Sequence, residues 1–147
     1  MRNLFYTLMI MALLGQQAGI LLAADRFQTT RNGAQYRDLT VGSGAVAETG
    51  DVATIHFVVS LDDNGRQGKQ ILDTRTQGNP VAFVIGTDRV MPGWNEGVIG
   101  MRQGGRRLLR LPPSLAYGSR GVEDVIPPDA SLIFIIELLD LEKDKEK

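Results

Sequence analysis

Ala53-Thr54-Ile55-His56-Phe57-Val58-Val59-Ser60-Leu61 is the stretch that decides the fold class. Ala53, Ile55, Phe57, Val59 and Leu61 share one apolar face, and Thr54, His56 and Ser60 lie opposite. A period of two is the mark of a strand with one face on a core. Asp62-Asp63-Asn64-Gly65 then turns the chain, Asn-Gly being a strong reversal signal. Upstream, Ala34 to Val41 alternates as a strand, and Gly42-Ser43-Gly44 and Glu48-Thr49-Gly50-Asp51 read as turns. Downstream, Arg66 to Gln70 reads as an exposed excursion before a short strand at Ile71 to Thr74. Val81, Phe83 and Ile85 alternate inward on the next strand. Arg106 to Leu111 forms another, ended by Pro112 and Pro113, which cannot donate to a ladder. Ser131 to Leu141 is the last, with Leu132, Phe134, Ile136 and Leu138 on one face. The period changes only after Pro92, where Trp94, Gly97, Val98 and Met101 stand at i, i+3, i+4 and i+7. Gly97 and Gly100 weaken that helix, so tertiary packing must hold it. The sum is an α+β fold, a mostly antiparallel sheet wrapped with one short helix around the apolar faces.

The chain of 147 residues fits one domain with a proper core. A formal net charge of -1 gives no electrostatic reason to expect nucleic acid. Arg102, Arg106, Arg107 and Arg110 form the only basic cluster, read as solvated strand ends in preference to a phosphate patch. There is no cysteine, which excludes disulfides, thiol catalysis and thiolate metal sites. The amino terminus runs from Arg2 through an apolar segment to Leu21-Leu22-Ala23-Ala24, the order of a secretory signal peptide cut near Ala23 or Ala24. The alternative is an uncleaved anchor, because the segment is nearly long enough to span a bilayer. The boundaries are therefore a signal peptide over 1–24, a flexible lead-in over 25–33, the folded domain over 34–142 and a charged, frayed tail over 143–147. The expected destination is the periplasm in a Gram-negative bacterium, and otherwise the exterior or the lumen of the secretory pathway.

Most enzyme chemistries fail on the residues. His56 is the only histidine, and Gly42-Ser43-Gly44 lacks the spacing of a nucleophile elbow. A transition-metal site needs several His or Cys ligands. Asp62-Asp63-Asn64-Gly65 lacks the alternating acids of a calcium loop, and the glycines from Gly93 to Gly105 match no phosphate-binding spacing. No metal and no cofactor is expected. What remains is a pocket. Met91-Pro92-Gly93-Trp94, Leu115-Ala116-Tyr117-Gly118 and Ile126-Pro127-Pro128-Asp129-Ala130 combine a broad apolar ring, a ring with one polar tip and an ordered Gly/Pro-rich connection.

In their order and spacing these motifs resemble the FKBP-type peptidyl-prolyl cis-trans isomerases, the macrolide-binding immunophilins. The resemblance runs from about Gln35 to Glu142. It rests on Val52-Ala53-Thr54-Ile55-His56-Phe57, Leu72-Asp73, Val90-Met91-Pro92-Gly93-Trp94-Asn95-Glu96-Gly97, Ala116-Tyr117-Gly118, Ile126-Pro127-Pro128-Asp129-Ala130 and the run from Leu132 to Leu139. It implies a curved antiparallel sheet wrapped around a short helix, and catalysis without nucleophile or cofactor. An X-Pro bond turns slowly because the planar amide must lose resonance, against a barrier of roughly 18–20 kcal/mol. An apolar pocket withdraws the water that stabilises the planar form, so the twisted amide is bound in preference.

Carried over by position, the resemblance makes Trp94 the floor beneath the prolyl ring. Phe57, Leu72, Val90, Met91 and Phe134 become its walls, with Phe83 on the core side. It gives Tyr117 a hydroxyl for one substrate carbonyl, Ile126 a backbone N–H for a second, and Asp73 a polar contact beside the rotating amide. His56, opposite Phe57, reads as structural. The family usually has tyrosine at Phe57, phenylalanine at Leu72 and Val81, and a β-branched residue at Met91. These departures lead to an expectation of weaker catalysis and macrolide affinity. The implied partners are proline-containing unfolded or nascent exported polypeptides and macrolide immunosuppressants, with no membrane contact after signal cleavage, and the expected state is a monomer. The rival reading is a secreted chaperone or prolyl-peptide binding module with little or no catalysis.

Overall fold

The structure, a computed structural model, describes residues 26–146, so the signal-peptide segment lies outside the described residues. The strands are β1 (Gln28–Thr29), β2 (Gln35–Thr40), β3 (Val52–Asp63), β4 (Arg66–Asp73), β5 (Val81–Val84), β6 (Arg106–Leu111) and β7 (Leu132–Glu142). Two short helices, α1 (Thr74–Gln77) and α2 (Pro92–Val98), and a 3₁₀ turn at Pro113–Leu115 complete the order. All strand pairings are antiparallel, in the order β1-β2-β6-β7-β3-β4, with β5 also paired to β3. Among the described residues no helix is long and apolar enough to cross a membrane.

The alternation seen in β3 builds the core. Ala53, Ile55, Phe57 and Val59 are buried on the inner face, beside Leu132, Phe134, Ile136 and Leu138 of β7 and Leu109 and Leu111 of β6. Helix α2 lies across this face with Gly93, Gly97 and Val98 buried. Gly97, a weak helix former, is what permits the contact: a Cβ there would lie 2.2 Å from Leu109 Cδ2. The α+β architecture expected from the sequence is the one observed.

Several local readings need correction. Arg66 to Gln70 is no excursion but the first half of β4, with Arg66 opposite Asp63 and Gln67 opposite Asp62 across the Asn64-Gly65 turn. Most of these residues are exposed, so ladder hydrogen bonds hold them and no apolar period betrays the strand. Gln28–Thr29, within the lead-in, pair with Tyr36 and Gln35, and Thr30 Oγ1 and Asn32 Nδ2 both donate to Glu96 of α2. Thr74, read as the end of a strand, begins α1, because the Asp73 carboxylate caps it by accepting from the Arg75 N–H at 2.9 Å. In the charged tail, Lys143 Nζ and the Asp144 N–H are both bonded to Asp51.

Arg107 departs furthest from its reading as a solvated strand end. Its side chain is 3% exposed. The guanidinium pairs with Asp38 at 2.7 and 3.2 Å and lies 4.2 Å from the centre of the Tyr36 ring. It also donates to Gly97 O and Ile99 O, each at 3.0 Å. These are carbonyls at the end of α2, where a helix lacks partners of its own. The inward register of β6 put Arg107 there.

Candidate functional site

Four elements and one long connection enclose an apolar cleft of about 180 Å³. Strand β3 contributes Phe57 and Val59, β4 contributes Ile71 and Leu72, and β7 contributes Phe134. Met91 and Trp94 come from the start of α2, and Tyr117, Val122, Val125 and Ile126 from the connection to β7. The floor is aromatic. Trp94 meets Phe57 edge to face at 5.0 Å between centroids, Phe134 at 6.0 Å and Phe83 at 5.5 Å. Phe57 and Phe134 are themselves 5.7 Å apart. Such contacts add about 0.5–1.5 kcal/mol per pair beyond burial, so the rings hold one another in place. Trp94 Nε1 is buried without a hydrogen-bond partner among the described residues.

The polar groups stand at the rim. Tyr117 is 43% exposed, and its hydroxyl makes no hydrogen bond within the described residues. The connection holding it is bonded to itself: Gly121 N–H donates to Tyr117 O, Val122 N–H to Ile126 O, and Asp129 N–H to Gly118 O. Ile126 was read as a backbone donor to substrate. Its N–H instead donates to Val122 O at 2.8 Å, and its side chain, 6% exposed, serves as wall. Met91 N–H, entering α2, makes no hydrogen bond to an acceptor among the described residues.

Asp73, Phe83 and Val90 do not line this cleft. Alternation along β4 turns Leu72 toward Val59 and Asp73 to the opposite face beside Val58. There Asp73 borders a smaller cavity of about 40 Å³ with His56, Arg75, Arg106 and Glu137. Phe57 is common to that cavity and the cleft, so Asp73 stands behind a cleft wall. Phe83 is 7% exposed and supports Trp94 from the core side. Val90 borders a separate hollow over residues 82–90. Val59, Ile71, Val122 and Val125 are wall residues that sequence reasoning missed. Val59 alternates with Phe57 and so was detectable, whereas Ile71 joins its neighbour Leu72 at the cleft through the register shift of β4, and Val122 and Val125 sit in a connection without period.

The family model described as FKBP-type peptidyl-prolyl cis-trans isomerase matches residues 43–139, which include this cleft. The chain belongs to that family. Its FKBP domain is 45% identical over 96 residues to peptidyl-prolyl cis-trans isomerase FPR2 of Saccharomyces cerevisiae, covering 65% of this chain and 68% of that protein. It is 42% identical over 102 residues to the FK506-binding protein of Neisseria meningitidis, covering 69% of this chain and 90% of that one. Among solved structures, FkpA from Escherichia coli superposes with a TM-score of 0.70 at 32% identity, over 90% of this chain and 60% of that chain. AtFKBP13 gives 0.69 at 35% identity, over 78% of this chain and 98% of that one. The antiparallel sheet with its short helix is thus the FKBP fold.

Proposed function

We propose that this FKBP domain speeds the folding of exported polypeptides by turning X-Pro bonds in the aromatic-floored cleft. The observation that carries the reading is a closed apolar floor of Trp94, Phe57 and Phe134 beneath a rim whose Tyr117 hydroxyl has no hydrogen-bond partner among the described residues. A prolyl ring seated on Trp94 removes water from the amide, which favours the twisted form with its smaller charge separation. The substrate carbonyls still need donors, since burying one unpaired costs about 1–3 kcal/mol. Tyr117 Oη–H and Met91 N–H, neither of which has an acceptor among the described residues, can supply them. Asp73, which does not line the cleft, acts on it from behind the Phe57 wall.

The export role rests on the Arg2-to-Ala24 segment, with the periplasm as destination in a Gram-negative host. Macrolides would enter the same cleft, with affinity reduced by the missing aromatic at Leu72.

A second reading, a prolyl-peptide clamp or chaperone, is favoured by the exposed apolar rim of Val122 and Val125, 36% and 47% exposed. One experiment separates the two. Isomerisation of a Leu-Pro peptide is followed without a coupling protease for the parent protein and for Asp73→Ala, Tyr117→Phe and Trp94→Ala. Acceleration that falls in all three supports the isomerase. A folded, peptide-binding protein without acceleration leaves the clamp.

A further inference from the structure

The second edge of β3 is shared between two strands that do not meet. β5 pairs with β3 up to Ile55, and β4 pairs with it from Val58 onward. His56 and Phe57 lie in the gap, where the Phe57 backbone would have no ladder partner on that side. The side chain of Thr74 fills the gap. Its hydroxyl oxygen accepts from Phe57 N–H at 2.9 Å and lies 3.2 Å from Phe57 O, to which it donates. His56 Nδ1 lies 2.9 Å from the same oxygen. A hydroxyl has one hydrogen and two lone pairs, so all three contacts are satisfied together only when His56 carries its hydrogen on Nδ1. Thr74 is 2% exposed and Phe57 is 7% exposed, so neither the hydroxyl nor the Phe57 backbone has water to fall back on, whereas His56 is half-buried.

Thr74 also directly follows Asp73. The adjoining turn is clamped from other sides: Asp73 Oδ1 accepts from Arg75 N–H at 2.9 Å, and Asp73 N–H donates to Gln77 Oε1 at 3.1 Å. The Arg75 guanidinium reaches across to Glu137 of β7. One buried hydroxyl therefore joins the backbone of a cleft-wall residue to the strand end that bears the carboxylate behind that wall.

We propose that Thr74 is a positioning residue for the isomerase, setting the Asp73 carboxylate against Phe57. The inference rests on the isomerase reading of the cleft and of Asp73. Thr74→Val keeps the shape and removes the hydroxyl, leaving Phe57 N–H, Phe57 O and His56 Nδ1 unpartnered. Expected is a fall in kcat/KM of about tenfold. Peptide affinity, read from the emission of Trp94, the only tryptophan, should stay within about twofold. Thr74→Ser should restore the rate. In an Asp73→Ala background Thr74→Val should add no further loss, because it acts through the carboxylate already removed. Multiplying losses, or affinity falling in step with rate, overturns the proposal as a general packing effect. Full activity in Thr74→Val overturns it outright. If the valine variant does not fold, Thr74→Cys, a weak hydrogen-bonding group of similar size, takes its place under the same criteria. A parent protein without isomerase activity, or an Asp73→Ala variant with full activity, defeats the reading of the site itself and the proposal with it.

Discussion

Trp94 and Phe57 meet edge to face with their ring centroids 5.0 Å apart at an interplanar angle of 61°. The two residues come from α2 and β3, and Phe134 and Phe83 join them from β7 and β5. The floor of the cleft is therefore a contact among four elements. Substitutions around it should separate residues facing the cleft from those supporting it.

Trp94→Leu should reduce both peptide affinity and turnover more than tenfold, with a stability loss of about 2–4 kcal/mol from the lost volume. Phe83→Leu, on the core side of the same ring, should destabilise by about 1–3 kcal/mol while affinity stays within about threefold. Denaturant unfolding beside peptide titration checks the pair. Equal affinity losses would mean that Phe83 reaches substrate.

The connection between Tyr117 and Ile126 depends on Gly121. It sits at φ +58°, and a Cβ there would lie 2.2 Å from Ile126 O. Gly121→Ala must displace backbone, at a cost of about 1–3 kcal/mol. Because that loop holds Tyr117, Val122 and Ile126 at the cleft, peptide affinity should fall by about tenfold or more, a larger effect than the shift in unfolding midpoint. Unchanged affinity would show that the loop's conformation is irrelevant to binding.

Asp51 is fully buried and accepts from Lys143 Nζ at 2.6 Å, Asp144 N–H at 3.0 Å and Glu48 N–H at 2.9 Å. Burial alone would raise its pKa, but these donors outweigh burial and bring it from 3.8 down to about 2. A carboxylate with a depressed folded-state pKa stabilises the fold above its unfolded value and loses that contribution as pH falls through the folded one. The parent should therefore weaken between about pH 4 and pH 2. Asp51→Asn should be less stable than the parent by about 1–3 kcal/mol at pH 7, a gap that narrows toward pH 2. Urea midpoints at pH 7, 4 and 2 test this, and a gap independent of pH would refute the charge argument.

Arg107→Met should destabilise by about 3–5 kcal/mol, since it leaves Asp38 and the carbonyls of Gly97 and Ile99 without their cation. Arg106→Met, its exposed neighbour, should stay within about 0.5 kcal/mol. Thermal unfolding of both decides whether Arg107 anchors the end of the helix that carries Trp94.

The strands with one buried face were legible because burial leaves a period of two in the sequence, as in β3 and β7. The helix was legible from the change of period at Trp94, Gly97 and Val98. The first half of β4 was not, since its residues are exposed and held through backbone hydrogen bonds that any side chain permits. Seven of the ten expected site residues line the cleft: Phe57, Leu72, Met91, Trp94, Tyr117, Ile126 and Phe134. Asp73 and Phe83 do not, because the direction each faces depends on the register of its strand, and Val90 does not, because it sits in the bend before α2, outside any strand.

By itself the sequence determined the antiparallel sheet, the short helix and the aromatic set of an FKBP domain, because these are written in local periodicity, turn chemistry and ordered motifs. The tertiary structure alone decided that Arg107 is buried under α2, that Thr74 bridges the gap between β4 and β5, and that Ile126 turns its N–H inward to its own loop. Each of these is a polar group whose partner lies on another segment or around a turn. A polar residue leaves no mark in hydropathy to say whether its hydrogen bonds will be made by water or by the fold.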